Sequence, residues 1–266
     1  RNKTFYLHKT LLGTLGEIEP NKYDLILANP PYYQSKSISD SAKNLKNEGN
    51  QLYTLGGIGV EALFLEWILK SLKYGGVANI ILPDGIFSND ANKKIKEYIL
   101  NNCYIESIIS LPVGTFFTTP KKTYILTLKK KTEEEIEKNI IQDYPIFTYI
   151  ANSIGETLDI YRFDTEENDL KLAVIKYNFF RKNNKKNLEE PLKSFILNDP
   201  KLKLIDISDF SKDKSWIIEN WWTEDEKVAI GLKKEKNVVT IDEFKELVED
   251  IILTLKEFKE DIECLK

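Results

Sequence analysis

The stretch Tyr23-Asp24-Leu25-Ile26-Leu27-Ala28-Asn29-Pro30-Pro31-Tyr32 constrains this chain more than any other. Leu25, Ile26, Leu27 and Ala28 form an unbroken apolar run. It reads as a short strand covered on both faces, the pattern of a parallel sheet. Pro30 and Pro31 end the ladder at once, because neither has an N–H to donate. Asn29 precedes a proline and is held extended. The turn therefore offers carbonyls and almost no donors, with the Asn29 side-chain oxygen beside them. It stands at the carboxyl end of a strand, where open α/β sheets bind ligands.

A rigid cluster of acceptors suits a planar amino group with two hydrogens to give, and adenine N6 is one. Its lone pair is delocalised into the ring, so it is a poor nucleophile. Two acceptors holding both hydrogens localise that pair and favour attack on an electrophilic methyl group. Tyr32 adds an aromatic face on which a base can stack. A base inside a duplex cannot reach such a pocket and must be flipped out.

The totals narrow the alternatives. The 266 residues suffice for one large domain or one domain plus an extension. With 38 basic and 42 acidic residues the net charge is −4. A free-standing nucleic-acid binder is usually basic, so DNA contacts are expected from local patches or a partner subunit. Cys103 and Cys264 match no metal spacing and read as reduced thiols of a cytoplasmic protein. His8 is the only histidine, which argues against a His-based triad or metal centre. No apolar run reaches membrane-spanning length. The chain begins at Arg1 and holds no methionine; we expect either a piece of a longer protein or a sequence from which some residues are missing.

Beyond the turn, residues 33–59 are polar and read as a long loop, with Gly56, Gly57 and Gly59 in it as hinges, not a cofactor fingerprint. Val60, Leu63, Phe64, Trp67, Ile68 and Leu72 repeat at helical spacing, stopped by Gly75-Gly76. Val77–Leu82 is a second buried strand, ending in Pro83-Asp84-Gly85. Asp84 is then either an acceptor beside Asn29 or the start of an Asx-type turn. A helix over 92–100 and strands over 105–111 and 123–128 follow, with Phe116 and Phe117 in the loop between the strands. Lys121, Lys122, Lys129, Lys130 and Lys131 bracket the last strand, as phosphate contacts or as a solvated sheet edge. A charged helix over 132–138, a strand over 145–151 and a helix from Asn168 to Phe180 come next. Trp216, Trp221 and Trp222 read as packing of a small irregular region. Thr240 and Glu243 fit a capping box. After it Phe244, Val248, Ile251, Leu255, Phe258, Ile262 and Leu265 keep a heptad seam that needs a partner helix.

The segment Asp24–Tyr32 resembles motif IV of amino-group methyltransferases, above all the N6-adenine DNA methylases of restriction-modification systems. The region Glu61–Phe87, with its Leu-Pro-Asp-Gly turn, resembles their motif V. Residues 105–128 resemble motifs VI to VIII, a strand pair at the sheet edge. The likeness extends to the methylation subunit of type I systems. It implies a Rossmann-like α/β sheet dependent on S-adenosylmethionine, entered partway, plus a helical C-terminal extension. It implies that Asn29 and the Pro30 carbonyl hold the amine, that Pro31 keeps the turn donor-free, and that Tyr32 stacks on the base with Phe116 or Phe117 opposite. Thr10 stands where the family places a cofactor-binding acidic residue, and Asn29 borders the same cofactor. The glycine-rich turn of motif I is expected upstream of Arg1.

The expected division is a catalytic portion over 1–150, a closing segment over 151–236 and the heptad helix over 237–266. The expected activity is site-specific adenine-N6 methylation of DNA. The resemblance adds a DNA-specificity subunit and a restriction subunit as partners through the C-terminal helix. Two readings compete: a protein-glutamine or RNA methylase, since these also use Asn-Pro-Pro-Tyr, and a non-catalytic assembly module that retains the sheet and the seam.

Overall fold

A computed structural model describes residues 13–32, 40, 44, 46–47, 50–57, 59–116, 120–234, 244–245, 248–252 and 254–256. Thr10, His8, Phe117, Cys264 and the Thr240/Glu243 pair lie outside the described residues, as do Phe258, Ile262 and Leu265 of the seam.

One six-stranded sheet organises the chain. Its strands are β1 (Tyr23–Ala28), β2 (Leu72–Pro83), β3 (Cys103–Ser110), β4 (Thr123–Lys130), β5 (Ile146–Ile150) and β6 (Leu202–Ile205). They lie side by side in the order β1-β2-β4-β3-β5-β6. The β1/β2 and β3/β5 pairs are parallel. Strand β4 runs antiparallel between β2 and β3, and β6 runs antiparallel to β5.

Three longer helices connect them: α1 (Val60–Ser71), α2 (Lys93–Asn102) and α3 (Asp169–Lys182). The stripe Leu65, Ile68 and Leu69 of α1 is fully buried against Ile26, Ala78 and Ile80 of the sheet. Each such aliphatic side chain contributes about 2 kcal/mol by leaving water. Helix α1 ends at Ser71, where Leu72 turns extended and starts β2 directly. Gly75-Gly76, expected to stop the helix, lies inside β2 instead. A side chain at Gly76 would stand 2.9 Å from the Lys73 carbonyl and 3.1 Å from that of Asp24, so the glycine is what lets β1 approach.

The same sheet face continues under Phe210, Trp216 and Trp222, buried in one cluster with Phe87 and Tyr124. The indoles of Trp216 and Trp222 donate to the Ser211 and Pro200 carbonyls at 2.8 Å each. Packing is thus their role in the fold. The opposite face buries Phe147 and Tyr149 beneath Ala173 and Phe180 of α3.

Two further expectations are corrected. Strand β1 is not covered on both faces: Leu25 is 57% and Leu27 72% exposed, while Ile26 between them is buried. It is an edge strand, paired only with β2 among the described residues. Nothing described lies over its Leu25/Leu27 face. The second correction concerns β4, expected at the sheet edge and found in its middle. Lys130 and Lys131 are consequently buried, not solvated. The Lys130 ammonium donates to the carbonyls of Leu69 and Leu72 and to Asn21 Oδ1, at 2.8 to 3.0 Å. Lys131 donates to the Leu100 and Asn101 carbonyls. Each cation caps the carboxyl end of a helix, where carbonyls lack intrahelical donors and the dipole is negative.

Candidate active site

Topology brings several loops to one end of the sheet. The carboxyl ends of β1, β2 and β3 lie there, with the amino ends of α1, α2 and β4. Asn29 emerges from β1 exposed, Pro30 is buried behind it, Pro31 is exposed and Tyr32 is half-buried. Asn29 lines a shallow hollow with Leu27, Ala28, Asn79, Ile81 and Ile125. Thr127 donates to Asn79 Oδ1 at 2.9 Å and fixes that wall.

The Tyr32 hydroxyl donates to Asn29 Oδ1 at 2.5 Å and lies 3.2 Å from the Ile81 carbonyl. Burial, and then the charge of Glu61, push its pKa up and keep the phenol protonated. It is therefore a standing donor to the acceptor that the sequence assigns to the amine. The Tyr32 ring meets Phe116 edge-on, with centroids 6.1 Å apart and planes at 74°. A base clasped between two rings needs them parallel and twice the ~3.5 Å contact distance apart. Tyr32 and Phe116 are thus brought together, but in a closed arrangement with no slot between them. Asp84 is exposed and opens a short helical turn, Asp84–Ser88. Its N–H donates to the Lys122 carbonyl at 3.0 Å.

Two carboxylates near this end carried no sequence signal. Glu61, in the first turn of α1, is 7% exposed, and its Oε2 accepts no hydrogen bond. Lys121 Nζ stands 3.9 Å from its other oxygen. Glu219 arrives from the far half of the chain and contacts Ser110, Lys122 and Tyr124. The first is only one of many helix-start acids in such a sequence. The partners of the second are about a hundred residues away.

Gly56, Gly57 and Gly59 all have positive φ, yet they form no open cradle. A side chain at Gly57 would collide with Ala62 and Asn92, and one at Gly59 with the Glu61 carboxylate. At these two positions the chain's own side chains fill the space a phosphate or nucleoside would need, while Gly56 faces open space. No metal-binding group of histidines, cysteines and acids occurs among the described residues.

A family model described as N-6 DNA Methylase matches residues 3–194. This chain belongs to that family. The cofactor of such methylases is S-adenosylmethionine. The type II methyltransferase M.HincII of Haemophilus influenzae is 29% identical over 199 residues, 67% of this chain and 39% of its own length. The EcoKI methylase subunit, from the type I restriction enzyme of Escherichia coli (strain K12), is 24% identical over 144 residues, covering 53% of this chain and 25% of that one. This N-6 DNA methylase family member thus spans well under two thirds of either relative. Among solved structures, a chain of a type I R-M system shares the fold with a TM-score of 0.51, covering 91% of this chain and 46% of its own at 16% identity.

Within the family's fold, the described residues do not fit the cofactor by themselves. Gly57 and Gly59 are crowded by side chains, and the groove along the outer edge of β1 is lined by Leu25, Leu27, Phe64 and Trp67 together with Thr14, Glu17 and Glu19. What the described residues offer is the acceptor corner.

Proposed function

We propose that the full-length protein methylates adenine N6 in a specific DNA sequence, as the modification subunit of a restriction-modification system, and that this chain supplies the corner that holds the amine. One observation carries the reading. Asn29 stands exposed over a hollow at the carboxyl end of β1, in a turn with no proline N–H to compete for it, within a chain matching the N-6 DNA methylase family. Asn29 Oδ1 and the Pro30 carbonyl take one amine hydrogen each. Tyr32 turns from Asn29 onto the flipped base, and Phe116 closes the other side. S-adenosylmethionine supplies the methyl group once bound. Rate enhancement then rests on positioning and on fixed acceptors.

The bare outer edge of β1 supports the companion proposal that the glycine-rich, cofactor-binding half pairs along it in the full-length protein. An open edge with exposed leucines is a template for another strand. The seam residues Phe244, Val248, Ile251 and Leu255 are exposed on helical backbone. They support association with a DNA-specificity subunit, and through it a restriction subunit, by helix packing. No helix among the described residues is long and apolar enough to cross a membrane.

The test is transfer of labelled methyl groups by the full-length protein. Adenine-containing duplex DNA, an RNA of the same sequence and a glutamine-bearing release-factor peptide are offered side by side. Label on DNA adenine is expected. Label on the RNA or peptide alone would favour the related amino-group methylases. No label with intact partner binding would favour an assembly module.

A further inference from the structure

We propose that Glu219 is a positioning residue for the aromatic loop of the active site; this rests on the reading just given. Its carboxylate collects three donors. Ser110 Oγ lies 2.6 Å from Oε1, the Tyr124 hydroxyl 2.8 Å from Oε2, and Lys122 Nζ 3.3 Å from Oε1. Ser110 ends β3 and Lys122 immediately precedes β4. They are the two roots of the loop that presents Phe116 to Tyr32. The roots also meet directly, Leu111 N–H donating to the Thr123 carbonyl at 3.0 Å, and the Lys122 carbonyl holds the Asp84 N–H. The Glu219 side chain thus joins the two roots of the Phe116 loop, and the backbone of one root, Lys122, is itself bonded to the turn after β2.

The chemistry of the group fits that task. A hydroxyl, a phenol and an ammonium converge on it, and the two oxygens of a carboxylate offer lone pairs enough for all three. The side chains of Glu219 and Lys122 are 16% and 18% exposed, so the pair is sheltered from screening. Tyr124 and Ser110 are buried, and losing their acceptor would strand two donors. The segment bearing Glu219 is itself fixed: Lys203 donates to the Trp221 carbonyl and Trp222 to that of Pro200. A residue from the chain's second half thereby sets the stiffness of a loop in the first.

The experiment uses the full-length protein, with Glu219→Gln and, as a milder variant, Tyr124→Phe. Three quantities are read on folded samples: amide hydrogen exchange, kcat and KM for DNA. For Glu219→Gln, amides of 111–116 and 120–122 should exchange about tenfold faster while those of α1 hold their rate. Its kcat should fall about tenfold with KM for DNA little changed, and Tyr124→Phe should fall between. Unchanged loop exchange and kcat in a folded variant would overturn the proposal. So would faster exchange spread evenly over the sheet, which would make Glu219 a general staple. Should Glu219→Gln not fold, Tyr124→Phe decides on the same criteria. A wild-type protein that methylates no DNA would overturn the proposed function, and the exchange data would still judge the hold of Glu219 on the loop.

Discussion

The Tyr32 hydroxyl rests on Asn29 Oδ1, 2.5 Å away, the atom assigned to the incoming amine. The stacking ring and the acceptor thus satisfy each other before a base arrives. Replacing that bond with a bond from the amine costs little if Tyr32 finds another partner as it swings. Tyr32→Phe keeps the ring and removes the competing donor. Its KM for DNA should equal or undercut that of wild type, with kcat within about threefold. Tyr32→Ala should lose about 5- to 150-fold in kcat/KM, since base–aromatic stacking contributes about 1–3 kcal/mol. Steady-state methylation kinetics of the two variants check this. Equal losses would show that the hydroxyl, not the ring, matters.

Lys130 is a helix cap and not a phosphate contact. Its ammonium is ringed by Leu69 O, Leu72 O and Asn21 Oδ1. Burial lowers its pKa, as expected for a cation withdrawn from water. Lys130→Ala should destabilise the fold by about 1–3 kcal/mol, because buried carbonyls lose a donor. The slope of DNA affinity against salt should not change. Denaturant unfolding and a salt titration of DNA binding measure the two. A shallower slope with unaltered stability would return Lys130 to the DNA surface.

Asp169 gives a pH dependence. Burial pushes its carboxyl up. The Lys201 ammonium 2.8 Å away, the Asn152 N–H and the Lys201 charge overcome that and hold it below the usual range. A carboxyl with a depressed folded pKa stabilises above its unfolded value of about 3.9 and loses that contribution as pH falls through the folded value. Melting temperatures of wild type and Asp169→Asn should therefore differ by a constant amount at neutral pH and converge in acid. A gap that ignores pH would remove Asp169 from this role.

The cofactor half of the account has its own check. Calorimetry with S-adenosylmethionine should show weak or absent binding for these 266 residues and clear binding for the full-length protein. Leu27→Lys in the full-length protein should weaken that binding by disturbing the edge of β1. Tight binding by the 266 residues alone would contradict the pairing proposed along that edge.

Much of the fold was legible because local chemistry writes it. Pro30 and Pro31 mark where β1 must end, and the apolar stripe from Val60 to Leu69 marks α1. The charged helix expected over 132–138 forms, started by Thr132 in a capping box. What stayed hidden is pairing. The apolar pattern of Thr123–Leu128 reads the same at an edge or in the middle, so Lys130 and Lys131 looked like surface cations. The run Leu25–Ala28 shows that a face can be buried but not what lies over it. The corner was legible because three adjacent residues build it. Its closed state was not, because Tyr32 reaches Asn29 by a choice of side-chain rotamer that no spacing encodes. Glu219 was invisible for a further reason: its partners Ser110 and Tyr124 meet it only after the sheet has formed.

The central claim concerns Asn29, and single-turnover methyl transfer by full-length Asn29→Ala, measured beside its DNA affinity and melting temperature, tests it most directly. Loss of the acceptor should lower the transfer rate by about 10²–10³-fold or more, as removal of one oriented hydrogen-bonding group does elsewhere, while affinity and melting stay near wild type. A transfer rate within a few-fold of wild type, or a matching collapse of affinity and melting, would contradict the assignment of Asn29 to the chemistry.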